Sequence, residues 1–185
     1  MTSLLCPESV PVRLQRDPCF RACESMDDDE IYANGIFEFN ITRLLAYIGT
    51  AGGFRAESVA LDDIPGAGNG ARLNELTILA ADLSRPVILA EIAPGRYNLI
   101  DGHHRVAKAR REGVPNIRAY RIRCPEHVAF LTSARAYETY IEYWNSKVED
   151  ALGIFPRRRR TRRDRGSRAA GSSANRSVWR DGPRR

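Results

Sequence analysis

The sequence predicts an α+β fold in which helices pack on a small mixed β-sheet and a long helix follows towards the C-terminus. Two patterns favour this class. Residues 56–124 alternate between short β-prone apolar runs and stretches with apolar residues at helical spacing. Residues 125–148 repeat apolar side chains every three or four positions, which is typical of one amphipathic helix. With 185 residues, 43% of them hydrophobic, the chain can form one domain with a sizeable core, and a second full domain is not expected.

Composition divides the chain into three parts. Residues 1–30 hold three cysteines, scattered prolines and the acidic run 27–30 without any periodicity, so we predict an irregular or mobile lead-in. Residues 31–155 carry the periodic segments and form the predicted domain. Residues 156–185 are rich in Arg, Ser and Gly and poor in apolar residues. They cannot bury enough surface to fold alone and are predicted to be a disordered tail.

The positive charge of the chain belongs to that tail. The net charge is +6, but the residues after Pro156 hold 12 arginines and two aspartates, so the rest of the chain is net acidic. A nucleic-acid-binding domain would normally carry a basic stripe on its fold, which this composition does not show. The tail itself could bind nucleic acid or another polyanion, or act as a solvated, solubilising segment. The predicted contacts are four consecutive arginines: Arg157, Arg158, Arg159 and Arg160.

The first predicted elements are a strand and a helix. Residues 36–39 alternate as a short strand, and Asn40 can cap a helix that Gly49 ends. Four apolar residues fall on one face of this helix: Ile41, Leu44, Leu45 and Ile48.

Residues 58–85 predict a strand, a loop and a second helix. The strand covers residues 58–64, and the glycine-rich loop 65–70 that follows could fold over a ligand. The helix covers residues 72–83 and ends at Arg85–Pro86. Its predicted buried face consists of Leu73, Leu76, Ala80 and Leu83.

Residues 87–122 predict the centre of the sheet. The run 87–93 is apolar on both faces and so suits a central strand. Pro94–Gly95 turns it back into the strand 97–100 as a hairpin. A helix then runs from His104 to Gly113, and residues 117–122 supply another strand.

The last predicted element is the long helix, whose first turn begins at Pro125 and Glu126. We expect its apolar stripe to pack on the domain, with a partner or dimer surface as the alternative. The stripe consists of Leu131, Ala134, Tyr137, Ile141, Trp144 and Val148.

The turn Asp101-Gly102-His103-His104-Arg105 lies between the predicted hairpin and the next helix. Gly102 can take the backbone conformation that a sharp strand-to-helix corner needs. The free N–H groups and the positive dipole end at a helix start attract phosphate. Arg105 adds a planar fork that can grip two phosphate oxygens. The turn is therefore the predicted active site.

This turn resembles the signature of the ParB/sulfiredoxin superfamily, whose members use it to hold nucleotide phosphates. The sulfiredoxin turn is Gly-Cys-His-Arg, which Gly102, His104 and Arg105 match, while His103 stands where the catalytic cysteine would be. The turn of chromosome-partition ParB proteins is Gly-Glu-Arg-Arg, which Gly102 and Arg105 match. The free-serine kinases of the same fold have a turn closer to this one. The resemblance covers residues 56–124 and implies their order of strands and helices.

The resemblance implies a nucleotide-binding protein that takes ATP or another nucleotide together with Mg²⁺. The implied activity is phosphoryl transfer to a small hydroxyl acceptor or nucleotide hydrolysis. One alternative is a ParB-like, nucleotide-regulated DNA-binding protein, although one long helix and an arginine tail stand where those proteins carry a helix-turn-helix region. The other alternative is a nuclease, for which the sequence offers no carboxylate cluster of the two-metal type.

Each residue of the turn has a functional and a structural interpretation. Asp101 could hold Mg²⁺, accept a proton from an acceptor hydroxyl, or only make the turn. His103 and His104 could contact phosphate, form structural hydrogen bonds, or join Asp101 in a metal site, and His103 is a catalytic candidate beside Asp101. Arg105 could grip phosphate or form an ion pair with Asp101 or Glu112.

Two arginines outside the turn are further phosphate candidates. Arg72 follows the glycine-rich loop, and Arg85 precedes the central strand. Both could instead be surface charges.

The sequence is typical of a cytoplasmic protein. No window approaches the roughly 18 apolar residues of a membrane span, and the first residues lack the basic start and apolar run of a signal peptide. Four cysteines in a chain of this size fit a reduced compartment better than a disulfide framework. They are Cys6, Cys19, Cys23 and Cys124. Cys19 and Cys23 form only a weak zinc signal, because no second pair lies nearby.

Overall fold

The computed structural model describes residues 10–65 and 73–154, which belong to one compact unit. These residues form six strands and four helices, together with two short 3₁₀ turns, so the α+β class is confirmed. The elements in chain order are β1 (Ile31–Asn34), β2 (Phe37–Asn40), α1 (Ile41–Thr50), β3 (Glu57–Ala60), α2 (Glu75–Ala80), β4 (Val87–Ala93), β5 (Arg96–Asp101), α3 (His103–Arg111), β6 (Asn116–Ile122) and α4 (Ala134–Leu152). Cys6 and the predicted tail with Arg157–Arg160 lie outside the described residues.

The main sheet has four strands in the order β3-β6-β4-β5. The pair β4–β6 is parallel and the other two pairs are antiparallel, so the sheet is mixed, as predicted. β4 lies inside the sheet, and its first four residues are buried on both faces. This confirms the central strand, because only a strand covered on both sides favours a continuous apolar run.

The two faces of the sheet support two separate hydrophobic clusters. Val87 and Leu89 of β4 point to the cluster that α3 covers. Ile88 and Ala90 point to the other cluster, which contains side chains of α1 and α4. The alternation follows from the two-residue period of a strand. As a result, α3 starts beside β4 and β5 on one face of the sheet only.

The N-terminal elements differ from the prediction by small shifts. β1 and β2 pair antiparallel as a hairpin, and the prediction missed β1. Asn40 caps α1 by accepting a bond from the Arg43 N–H at 2.9 Å, as predicted. The helix continues through Gly49 to Thr50, so Gly49 does not end it.

Residues 10–30 have no regular secondary structure, as predicted, but they lie packed on the domain. The Phe20 and Tyr137 rings stack with centroids 3.8 Å apart. The backbone N–H and C=O of Leu14 both bond the Asn145 side chain, at 2.8 and 2.9 Å. The segment is therefore held along α4 and is not a loose lead-in.

The predictions for residues 58–64 and 72–83 were too long. β3 ends at Ala60, where a 3₁₀ turn begins. Residues 66–72 lie outside the described residues, and α2 covers only Glu75–Ala80 because Asn74 caps it and Ala81 leaves the helical conformation. Leu76 is 76% exposed, so it is not on the buried face, which is formed by Ile78.

The predicted start of the long helix was also wrong. Residues Glu126–Phe130 form a 3₁₀ turn, and Leu131 then pairs with Phe39 as an isolated β-bridge. α4 starts at Ala134, because the Ser133 hydroxyl accepts the Ala136 N–H and so caps the helix there. Several stripe residues are buried as expected: Tyr137, Ile141, Trp144 and Val148. No helix in the described part of the chain is long and apolar enough to cross a membrane.

Candidate functional site

The turn between β5 and α3 depends on Gly102. Its φ of 96° lies in the left-handed region, which side chains other than glycine rarely adopt. A Cβ at this position would lie 2.5 Å from Val87 Cγ1 and 2.9 Å from Arg105 Nε and Nη2. Glycine is therefore required here both for backbone conformation and for space.

The start of α3 has backbone donors without a side-chain cap. The first helical bond runs from the Val106 N–H to the Gly102 carbonyl at 2.9 Å, and no side chain caps the helix at Gly102. Among the four helices in the described residues, α3 alone lacks such a cap, since Asn40, Asn74 and Ser133 cap the others. The first N–H groups of α3 and its positive dipole end therefore remain available to an anion.

These donors border a cavity of about 500 Å³, which we call the turn cavity. Its volume is in the range of sites for small molecules and cofactors. The predicted residues Asp101–Arg105 and Arg85 all line it, while Arg72 lies outside the described residues. Its other lining residues come from β1, α2, the segments beside them and β5, and are Glu30, Tyr32, Leu73, Thr77, Ala80, Ala81, Asp82 and Ile100.

Arg105 forms an ion pair with Asp101 inside this turn. Arg105 Nη2 donates to Asp101 Oδ2 at 2.6 Å, and both side chains are only 12% exposed. This is the structural pairing that the sequence allowed as an alternative, and the other partner considered, Glu112, lies instead near Lys108 at 4.0 Å. The pair uses one of the five guanidinium N–H groups. The buried Nε of Arg105 has no hydrogen-bond partner among the described residues.

His103 is held beside Tyr32 of β1. The rings stack with centroids 5.0 Å apart, and the Tyr32 hydroxyl lies 3.3 Å from His103 Nε2. Burial lowers the pKa of His103 and the neighbouring His104 adds to this, while Asp101 opposes it. His103 is therefore neutral at pH 7 and can exchange a proton with a bound group.

Sequence reasoning missed Glu30, Tyr32 and Asp82 as cavity residues. Asp82 accepts the Ser84 N–H at 2.9 Å and the Ser84 hydroxyl at 2.7 Å. These two bonds lower its pKa, and Arg85 and Arg105 contribute to the same shift. Glu30 and Tyr32 come from a segment without a periodic signal, so only the tertiary structure reveals them.

The wall formed by α2 is tied to α3 at two points. Lys108 Nζ donates to the carbonyls of Leu79 and Ala81 at 2.9 and 2.8 Å. Arg111 binds the Glu75 carboxylate with two nitrogens. The position of this wall therefore depends on the second half of α3, whereas the turn depends on its start.

Within residues 10–65 and 73–154, no three side chains of His, Cys, Asp or Glu come together as a metal-binding group. Cys19, Cys23 and Cys124 are free thiols. Burial raises the pKa of Cys124 to about 12, so this thiol stays protonated and unreactive near neutral pH.

No protein-family model, curated protein or solved structure matches the chain. The fold and the geometry of the turn cavity therefore supply the arguments about function.

Proposed function

We propose that the turn cavity binds a nucleotide through its phosphate groups together with Mg²⁺. The site would serve phosphoryl transfer to a small hydroxyl acceptor or nucleotide hydrolysis, within a fold of the ParB/sulfiredoxin kind. The observation that carries the proposal is the uncapped start of α3, which Gly102 turns towards a cavity of about 500 Å³. A helix start of this form favours phosphate through backbone N–H groups and the helix dipole.

The charges around the cavity support a phosphate group bound with a cation. Arg85 and Arg105 can neutralise phosphate oxygens, and Arg105 keeps guanidinium donors beyond the one bound to Asp101. Asp82 and Asp101 provide carboxylates in the same cavity. Mg²⁺ commonly takes one or two carboxylates and completes its shell with water and substrate phosphates. In this proposal the two carboxylates could hold the ion, and Asp101, the ligand expected from the sequence, would exchange its bond to Arg105 for the ion.

His103 is the residue best suited to move a proton. Its lowered pKa keeps the imidazole neutral at pH 7, so it can accept the proton of an attacking hydroxyl or water. Asp101 is less suited, because Arg105 already neutralises its charge. Bound Mg²⁺ would offset the charge of the transferred phosphoryl group, while Gly102, His104 and Arg105 would position it.

The test is a thermal-shift panel with ATP, ADP, CTP and GTP, each with and without Mg²⁺. A ligand at 100 times its dissociation constant stabilises a protein by about 2.7 kcal/mol, which such a panel detects. We expect at least one nucleotide to raise the melting temperature, and Mg²⁺ to increase the shift. No shift with any nucleotide at millimolar concentration would contradict the proposal. Product analysis with the stabilising nucleotide would then distinguish hydrolysis from transfer to an added hydroxyl compound.

A further inference from the structure

A second polar pocket lies at the other end of the sheet, and we call it the arginine pocket. It has a volume of about 300 Å³, and Arg55, Glu57, Tyr97, Arg121 and Arg123 are among its lining residues. It shares no lining residue with the turn cavity. Tyr97 and Asp101 lie near opposite ends of β5, a separation of about 13 Å along a strand. The two sites are therefore distinct.

Strand alternation explains why arginines collect there. Ile117 and Ala119 of β6 are buried under α3. Arg121 and Arg123 continue the same two-residue period beyond the part of the sheet that the helix covers. β3 runs antiparallel to β6 with Glu57 opposite Ala119. Arg55, two residues before Glu57, therefore lies on the side of Arg121, two residues after Ala119. The sheet thus extends from an apolar half under α3 to an uncovered half with three guanidinium groups.

The negative charges near these arginines only partly offset them. Glu57 accepts a bond from Arg121 Nε at 2.8 Å. Glu91 is the other carboxylate nearby, and its two oxygens accept the N–H groups of Gly95 and Cys124 at 2.8 and 3.2 Å. Arg55 and Arg123 therefore remain in excess over the carboxylate that lines the pocket.

Tyr97 adds a neutral donor to the pocket. The Arg121 guanidinium lies over the Tyr97 ring, 5.2 Å from its centroid. Burial, together with Glu91, raises the pKa of the Tyr97 hydroxyl, while Arg123 and Arg121 partly oppose the shift. The hydroxyl therefore keeps its proton near neutral pH.

We propose that the arginine pocket is a second anion site, which binds a phosphate group between Arg55, Arg121 and Arg123. Guanidinium forks match phosphate oxygens in pairs, and all three cations here are arginines rather than lysines. Glu57 then has a defined role, since it orients Arg121 when no anion is bound. The phosphate could belong to a small molecule or to a nucleic-acid backbone, and the chemistry of recognition is the same.

The test is an NMR titration of the ¹⁵N-labelled full chain with pyrophosphate, with a twelve-residue oligothymidylate, and with malonate as a dicarboxylate control. We expect pyrophosphate to shift the amides of Tyr97 and Arg121, separately from any shift at residues 103–105. The double variant Arg121→Gln/Arg123→Gln should weaken this binding at least tenfold. Arg118→Gln is the matched control, because Arg118 is an exposed arginine on the other face of β6 and should leave the binding unchanged.

Each outcome of the titration bears on the proposal. Tighter binding of the oligonucleotide at the same amides identifies a nucleic-acid backbone as the source of the phosphate, and tighter binding of pyrophosphate identifies a small molecule. The proposal is overturned if neither ligand shifts the amides around Tyr97, if the double variant binds as well as wild type, or if malonate binds equally well. Shifts confined to residues 103–105 would overturn this site while supporting the turn cavity.

Discussion

The two ends of α3 carry the same kinds of residue, a glycine with positive φ and an arginine in an ion pair, but in different surroundings. Each end has a glycine with positive φ, Gly102 at 96° and Gly113 at 67°. A Cβ at Gly113 would meet nothing within 4 Å, whereas a Cβ at Gly102 would clash with Val87 and Arg105. At the end of α3, the N–H groups of Gly113 and Val114 bond back to helix carbonyls at 3.2 and 2.9 Å. The C-terminal end of α3 is therefore an ordinary helix stop. At its start, glycine is required by close packing as well as by backbone conformation.

The arginines at the two ends differ in the same way. Arg105 and its partner Asp101 are each 12% exposed and border the turn cavity. Arg111 and its partner Glu75 are 49% and 69% exposed, and their ion pair links two helices at the surface. The shielded Arg105 keeps unused guanidinium donors beside the N–H groups at the start of α3, as the proposed binding role requires, whereas the exposed Arg111–Glu75 pair has no such surroundings.

Substituting the arginines at the two ends of α3 should change ligand binding by very different amounts, and this is the largest effect we expect. Arg105→Ala should weaken binding of the stabilising nucleotide by roughly 10² to 10⁴-fold, because two charge-assisted hydrogen bonds of about 1.5–3 kcal/mol each are lost. Arg111→Ala is the matched control and should change affinity by less than about twofold, since exposed ion pairs contribute little. Isothermal titration calorimetry measures both, with circular dichroism as a check on folding. Equal affinities in the two folded variants would show that Arg105 is only an ion-pair residue.

The next largest effect is on stability. Gly102→Ala should lower the free energy of unfolding by roughly 4 kcal/mol, because backbone strain and overpacking against Val87 add together. Gly113→Ala has the strain alone and should cost about 1–2 kcal/mol. Urea denaturation of both variants provides the comparison. If the two costs are the same, the close packing at the start of α3 is not energetically important.

Removing the link between Lys108 and α2 should have a smaller effect, mainly on stability and much less on nucleotide binding. Lys108→Met removes the two bonds from Lys108 Nζ to the last turn of α2 and should cost about 1–2 kcal/mol. Nucleotide affinity should fall less than about tenfold, because Lys108 lies away from the start of α3. Lys147→Met is the control, since Lys147 pairs with Asp150 at the surface of α4. A loss of binding as large as that of Arg105→Ala would extend the binding site along the whole of α3.

The smallest expected effect is the pH dependence of binding. Burial holds the pKa of His103 below its usual value near 6.5 in the free protein, and a bound phosphate should raise it by favouring the imidazolium. Affinity should therefore be constant above the bound-state pKa and increase as the pH falls from there towards the free-state pKa. NMR titration of the His103 ring with and without ligand measures both values. His103→Gln should remove this component of the pH profile, and an unchanged profile would show that His103 does not contact the anion.

Local signals in the sequence predicted the central part of the fold well. Three short signals fix this region: the apolar run 87–93, the Pro94–Gly95 turn and Gly102. Each depends only on neighbouring residues, so the strand, the hairpin and the corner before α3 could be predicted without knowing the tertiary structure. The limits of the helices were harder to predict, because the segment before α4 contains two different signals for a helix start. Ser133 starts α4 where the proline and glutamate at 125 and 126 had suggested an earlier start.

Residues brought together by distant segments could not be predicted. Tyr32 reaches His103 across a separation of 71 residues. Its four-residue strand, Ile-Tyr-Ala-Asn, does not alternate apolar and polar residue types, although the burial of its side chains does alternate. The arginine pocket was hidden for a different reason. The chain before the tail is net acidic, and its overall composition does not reveal that the pairing of β3 with β6 places three arginines in one pocket.

The contact between the N-terminal segment and α4 also joins parts of the chain that are synthesised at different times. Leu14 binds Asn145 across 131 residues, and the Trp144 indole binds the Val12 carbonyl across 132. A growing chain makes the first partner early and the second only after the whole sheet has emerged from the ribosome. The wall of the turn cavity that contains Glu30 and Tyr32 follows directly after this segment. A chain that lacks α4 would therefore keep the turn at Gly102 but lose the contacts that hold the segment before Glu30 and Tyr32.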